Sequence, residues 1–503
     1  MIGLLVLGLQ LVAAPDTARD AHANGIPVPR VTAVRVARAP VIDGKLEDEA
    51  WRQAPVVTGF TQSRPTEGAP AQQQTEVQVL YDESALYIGA RMRESDRSRI
   101  FEQLARRDQG DNGDLLIVAI DSYHDHLTAF GFALNPSGVK IDATSSRDEE
   151  NWDISWDAVW TGATHIGVDG WTAEMRIPLS QLRFPPGGAH VWGINFWRIR
   201  KLANENSALV VVKQSERGFA SRFAHLVGIA GLRAPRRFEV MPYVRAQAET
   251  RRALAGDPFF AGRRASSGAG VDVKYGVTSN LTLDATVNPD FGQVEADPAQ
   301  LNLTAFEPFF QERRPFFVEG AQIFDFGVSC NAWCFVGPPS LFYSRRIGRS
   351  PSLGARDPYE TLAAHESRDS LLFMDVPQRS TILGAAKLTG QLASGTSIGI
   401  LHAETGRADA RVDATIRRTD RAPLERVRYE DPVEPHTHYS VLRLRQSFNG
   451  GATTVGALGT SVARQMPNDR VRAALPSQAF TAGVDARHRW SKNRFDLAAA
   501  AAV

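Results

Sequence analysis

Glu307 and Glu312 stand five residues apart in the stretch NPDFGQVEADPAQLNLTAFEPFFQERRPFFVEG, which runs from Asn288 to Gly320. Two neighbouring carboxylates are the apparatus of glycosidic-bond hydrolysis, one as general acid and the other as base or nucleophile. Arg313 and Arg314 follow directly. An arginine beside a carboxylate holds it ionised, the wrong state for a general acid. The stretch also carries Phe291, Phe306, Phe309, Phe310, Phe316 and Phe317, broken by Pro308 and Pro315. Asp297-Pro298-Ala299-Gln300 has the capping aspartate, first-turn proline and following glutamine of a helix start. Phenylalanines packed together, with Arg313 and Arg314 forked onto nearby carboxylates, describe a structural plug better than a catalytic centre. No catalytic residue is assigned.

A second set of residues suits ligand binding. Trp152, Trp156 and Trp160 lie in NWDISWDAVW. Sugar rings present an apolar face of C–H groups, so an exposed indole edged by hydrogen-bonding groups makes a platform for them. Trp152, inside the polar run RDEENWD, is the better platform. Trp156 and Trp160 share a face if the segment is a strand, and there they also suit a core. Arg107 joins them as a candidate carbohydrate contact. In ARRDQGDNGDLL, Asp108, Asp111 and Asp114 offer oxygen ligands to a structural calcium ion. His124-Asp125-His126 has no metal-ligand spacing on a strand and reads as a surface turn. Cys330 and Cys334, in SCNAWC, are the only cysteines. Two thiolates do not close a zinc site, and in an exported chain they read as a loop disulfide.

The elements that must position these residues are almost all strands. From Val34 to Leu232 short alternating runs such as EVQVLY, ALYIGARMRE, DLLIVAID and WGINFWRI are broken by turn signals, among them Asn135-Pro136-Ser137-Gly138 and Val168-Asp169-Gly170. That spacing predicts an antiparallel, jelly-roll-like β-sandwich, with Trp51, Trp171 and Trp192 in its core. From residue 236 onward the runs lengthen. NLTLDATVNPD, STILGAAKLTG, HYSVLRLRQSF and AFTAGVDARHRW set apolar side chains against polar ones, with Lys387, Arg443 and Arg445 on the polar side. Ten-residue strands with one apolar and one charged face suit a membrane β-barrel with a wet lumen. The chain stops in NRFDLAAAAAV, which reads as mid-strand, so the 236–503 barrel is expected to be partial.

Lysine plus arginine (57) balances aspartate plus glutamate (56), so no bulk field draws in nucleic acid. The apolar run in MIGLLVLGLQLVAA, followed by Ala21-His22-Ala23, reads as a signal peptide over residues 1–23, although no basic residue precedes it.

Two resemblances follow from these motifs. PVIDGKLEDEAW, ALYIGARMRESD, the NPSG turn, WDAVW and GWTAEMRIPLSQLRF resemble the family 9 carbohydrate-binding module and its DOMON-like relatives. This resemblance implies a sugar-binding sandwich, sometimes with structural calcium, that often accompanies polysaccharide-degrading enzymes. The Asn288–Gly320 stretch resembles an uncharacterised bacterial family that joins such a domain to a membrane-associated β-barrel. Asn206-Ser207-Ala208-Leu209 departs from it where relatives tend to carry an aromatic residue. The expected function is carbohydrate binding at the outer membrane in polysaccharide capture or catabolism, with poly- or oligosaccharide and outer-membrane lipid as partners. The alternatives are a hydrolase acting on O-glycosyl bonds, or a protein-handling barrel whose sandwich, periplasmic or at the surface, binds a protein partner.

Overall fold

A computed structural model describes residues 28–289, 312–327, 341–358 and 371–503, apart from positions 155, 186, 214–215, 217, 233–237, 279, 393, 420 and 492–494. The signal-peptide segment, the Asp297 helix start, Glu307, Cys330 and Cys334 lie outside the described residues.

The first half is a two-layer β-sandwich. One layer carries Leu115–Asp121, Ala129–Leu134, Lys140–Ser145, Ala189–Arg200 and Ala224–Ala230; the other carries Thr75–Tyr81, Ala85–Arg93, Thr161–Ile166 and Gly170–Pro178. The alternation of TEVQVLY places Val77 and Val79 wholly inside, opposite Ile88 and Ala90 of the neighbouring strand. Val118, Ile120, Phe132, Ile194 and Phe196 close the core from the facing layer. Trp51, Trp171 and Trp192 are buried as expected. The sheet is not antiparallel throughout. Arg30–Arg35 runs parallel to Ala224–Ala230 through Arg30–Thr32 and parallel to Thr75–Tyr81 through Ala33–Arg35, so one strand ties the two layers together.

Glu174 fixes the segment that precedes the sandwich's first 3₁₀ turn. It is fully buried and accepts from Trp51 Nε1 at 2.8 Å and from the Asp43 and Gly44 N–H groups at 2.9 and 2.8 Å. Three donors satisfy a carboxylate that would otherwise be costly to bury.

The second half is a nine-stranded, all-antiparallel, nearly closed barrel-like sheet running in chain order from Phe238–Thr250 to Phe495–Ala502. Its long strands are inverted relative to the sandwich. On Leu281–Val287, Thr282, Asp284 and Thr286 point inward and are buried, whereas Leu283 and Val287 point outward and are exposed. The same holds for Lys387 against Leu383, for Arg443 and Arg445 against Leu442 and Leu444, and for Arg489 against Val484 and Trp490. The outward rows run in register from strand to strand, as in Ile398, Leu444, Ala457, Val484 and Ala501. A separate three-stranded sheet of Leu372–Asp375, Ala408–Ile416 and Glu425–Glu434 extends from one end.

The described part of the plug lies in the lumen. Pro315 opens, rather than breaks, a one-turn helix, Pro315–Val318, occupying the first helical position. Phe316 and Phe317 are buried and meet edge to face, with ring centroids 4.9 Å apart. Phe324 and Ile323 fit against Gly399, where a β-carbon would come within 2.9 Å of both, and Phe326 fits against Gly483. Lys387 donates to the carbonyls of Phe316 and Glu319. Arg314 forks onto Glu312 at 2.8 and 2.6 Å and donates to the Ile347 and Ser344 carbonyls. The Arg313 backbone N–H also donates to Glu312, at 3.0 Å. Among the described residues no helix is long and apolar enough to cross a membrane.

Candidate functional site

A chamber of about 1050 Å³ opens where the sandwich meets the end of the barrel-like sheet. Its sandwich wall is the turn Arg147–Trp152 together with Trp197, Asn206 and Ala208; its other wall is Arg443, Arg445, Asp485, Arg487 and Arg489. Trp152, the residue singled out for its polar surroundings, does lie here. It packs on Gly131, where a β-carbon would come within 2.7 Å of the indole, and meets Phe219 edge-on with centroids 5.2 Å apart. Phe219 in turn stacks on Trp197 at 5.7 Å and 17°. Two half-buried indoles, braced by one phenylalanine, thus face a cavity edged by guanidinium and carboxylate groups. Planar charged groups and aromatic faces are the contacts that hydroxyl-rich, C–H-faced rings use.

Asp148 holds the turn in place. Arg147 and Asp148 both take left-handed backbone angles, φ 63° and 59°, which cost energy in residues other than glycine. The Asp148 carboxylate offsets that cost. It accepts from the Phe219 and Ser221 N–H groups at 2.7 and 2.8 Å, from the Ser221 hydroxyl at 2.7 Å, and from Arg489 across the junction. Arg487 reinforces the junction by donating to the Arg147 carbonyl at 3.0 Å and to Glu149 at 3.1 Å. Arg443 is bidentate on Asp485 at 2.5 and 2.9 Å, and Arg445 is buried with Asp125 and Asp325 as its opposite charges.

The other predicted contacts do not join Trp152. Trp156 and Trp160 precede the strand Thr161–Ile166 rather than lying on it. Trp160 is buried against Phe132, and its Nε1 donates to Asp142 at 3.2 Å. Trp156 packs on Phe130 and Phe132 at the core's edge. Arg107 spends its guanidinium on Asp142 at 2.5 Å and the Ala158 carbonyl at 2.6 Å, so it braces this segment instead of facing a ligand.

The three aspartates of the expected calcium loop do not converge. Asp108 accepts from the Asp142 N–H at 3.2 Å, Asp111 is exposed, and Asp114 is buried, accepting from the Lys201 N–H at 2.8 Å. Their oxygens serve different partners, so this trio does not fit a shared ion. Burial, aided by the nearby Asp142 charge, pushes the Asp108 carboxyl up to about 6; burial also raises Asp114. Among the described residues, His402, Glu404 and His438 are the side chains whose donor atoms gather within 4.8 Å, on the exposed outer face of the second sheet. His124 and His126 sit in a left-handed turn with ring centroids 4.5 Å apart, beside buried Asp121 and half-buried Asp125. Burial raises both of those carboxyls.

Sequence reasoning missed Trp197 and Asp148. WGINFWRI reads as a core strand, and nothing local marks its second tryptophan as the one that faces a cavity. The departure at Asn206–Ala208 bears on the same place, since both residues line the chamber where a larger side chain would reduce it.

Comparison with known proteins agrees with this division. A family profile described as Domain of unknown function (DUF5916) matches residues 234–501, and one described as Carbohydrate family 9 binding domain-like matches residues 42–208. Similar solved structures include a family 9 carbohydrate-binding module from Caldicellulosiruptor kristjanssonii in complex with cellotriose. It is 18% identical with a TM-score of 0.30, covering 39% of this chain and 92% of that one. A putative carbohydrate-binding protein from Bacteroides uniformis is 12% identical with a TM-score of 0.31, covering 40% of this chain and 99% of that one. No curated protein matches the chain.

Proposed function

The chain belongs to the family described as Domain of unknown function (DUF5916), and from that premise we propose that it is a saccharide-binding protein of the outer membrane, serving polysaccharide capture or catabolism. The observation that carries the saccharide reading is the pair of braced indoles, Trp152 and Trp197, in the junction chamber of a domain whose profile match is carbohydrate-binding. Both indoles line the chamber, and Asn206, Lys213 and Arg487 stand in the same lining as partners for sugar hydroxyls.

The inverted second sheet supports the membrane reading. A water-soluble barrel gains nothing by turning Leu442, Leu444, Val455 and Val484 outward while burying Lys387 and Arg443. A lipid-facing barrel requires that arrangement. From Phe480 to Trp490 the outward row spans about 34 Å of strand, which at the usual barrel tilt is an apolar band about 25 Å tall. Phe480 and Trp490 stand at its two ends, where membrane barrels carry aromatic girdles.

The test is titration of the full chain in detergent with a panel of neutral and acidic oligosaccharides, cellotriose among them, followed by tryptophan fluorescence. Saturable binding by at least one glycan is expected. Trp152→Ala should weaken it about five- to tenfold, for the loss of about 1 kcal/mol of stacking, and Trp152→Phe should weaken it less. If no glycan in the panel binds the folded wild-type chain, the saccharide reading is wrong.

A further inference from the structure

The two ends of the second sheet are built differently. At one end its strands are joined by connections of only four residues, 277–280, 392–395, 449–452 and 491–494. At the other the connections are 251–262, 288–381, 406–435 and 466–477, which include the three-stranded extension and the helix Asp469–Ala474. The sandwich is seated on the short-connection end. Gly451 lies so close to the Asp125 carbonyl and to Leu127 that a β-carbon there would come within 2.8 Å of the carbonyl. Arg489 reaches Asp148 from just before 491–494, and Arg183 reaches Thr389 and Glu319 beside 392–395. The chain also enters its first long strand, at Phe238, from this end.

Outer-membrane barrels carry short turns on their periplasmic side and long loops outside. We infer that the sandwich and its chamber face the periplasm, so that the chamber takes short oligosaccharides presented from within the periplasm rather than polymer at the cell surface. This rests on the outer-membrane reading above and adds a direction to it. The plug argues for the same route. Phe316, Phe317, Phe324 and Phe326 are buried in the lumen between the long connections and the chamber, and Asp325 and Gly327 form part of the chamber's own lining. A polysaccharide chain outside the cell meets packed phenylalanine before it meets Trp152.

The experiment uses the full chain expressed in a Gram-negative host, with a site for a specific protease inserted after Gly256 or Ala422, in two long connections, or after Gly68, in an exposed sandwich turn. Exposed tips of this kind admit proteases readily. Protease is added to intact cells and to cells whose outer membrane has been permeabilised, and the membrane fraction is washed with carbonate in parallel. The expected result is cleavage at 256 and 422 on intact cells and at 68 only after permeabilisation. Cleavage at 68 on intact cells, or long-connection sites that stay uncut until permeabilisation, would overturn the inference while leaving the barrel in the membrane. A chain released by the carbonate wash would instead refute the membrane reading on which the inference depends.

Discussion

Leu444→Arg separates a lipid-facing barrel from a soluble one. Leu444 points outward in the strand His436–Phe448, is 41% exposed, and stands in register with Ile398 on one side and Ala457 on the other. If that face meets water, exchanging an exposed leucine for arginine removes little packing and costs within about 0.5 kcal/mol. If it meets acyl chains near mid-depth, the guanidinium costs about 2–4 kcal/mol. The difference, roughly 1.5–3.5 kcal/mol, is a tenfold to several-hundredfold change in the folded fraction. Ser440→Arg is the internal control. Ser440 faces the same way, opposite His402, but lies four residues nearer the polar rim, about 14 Å along the strand. Near the interface the same substitution costs only about 0–1 kcal/mol. Urea titration of the chain refolded into phosphatidylcholine vesicles, read by tryptophan fluorescence, gives both values. Equal, sub-0.5 kcal/mol effects at 440 and 444, with protein that stays monodisperse in water without detergent, would refute the membrane assignment.

Two further outcomes follow from the junction and the sandwich. Asp148→Ala leaves Arg489 buried without its carboxylate and removes three further hydrogen bonds, so a loss of about 3–5 kcal/mol is expected, seen as an early first unfolding transition in scanning calorimetry; an unchanged first transition would show that the pair does not hold the junction. Asp108 has its folded pKa raised to about 6, so the folded state holds its proton more tightly than the unfolded chain does. Its penalty is therefore absent below about pH 4, grows as pH rises to 6 and is complete above that, amounting to about 1–2 kcal/mol once partial exposure and screening are allowed for. Asp108→Asn should narrow the difference in melting temperature between pH 4 and pH 8, mainly by raising the value at pH 8, and an unchanged difference in scanning calorimetry would count against that origin.

Much of the architecture was legible in single segments. Alternation with a period of two gives strands wherever it occurs, and the length and polarity of that alternation distinguish the two halves. Val77 and Val79 pair with polar neighbours on a short strand, as a half-buried sheet requires. Leu442 and Leu444 alternate with Arg443 and Arg445 on a long one, and two arginines in a row of inward positions need a wet or charge-paired lumen. The plug was legible for a similar reason, because six phenylalanines among paired charges fit neither a lipid face nor a solvated loop. Local pattern misjudged Arg107. A loop reading leaves it free for a ligand, whereas it is bound to Asp142, which the sequence places 35 residues away. Trp160, for which a core position was also read, is buried on the same carboxylate.

The sequence by itself determined which side chains share a face, because backbone geometry makes that a local property. It also marked Trp152 as an indole in polar surroundings. Only the tertiary structure decided that Trp152 shares a chamber with Trp197, and that Arg489, some 340 positions along the chain, closes the turn beside it. It likewise decided that the sandwich sits at the end with the short connections. Those facts depend on how the two sheets meet. One bond that fixes the meeting joins a buried carboxylate in a turn of the sandwich to a guanidinium on the second sheet, a preference that leaves no periodic trace in either segment.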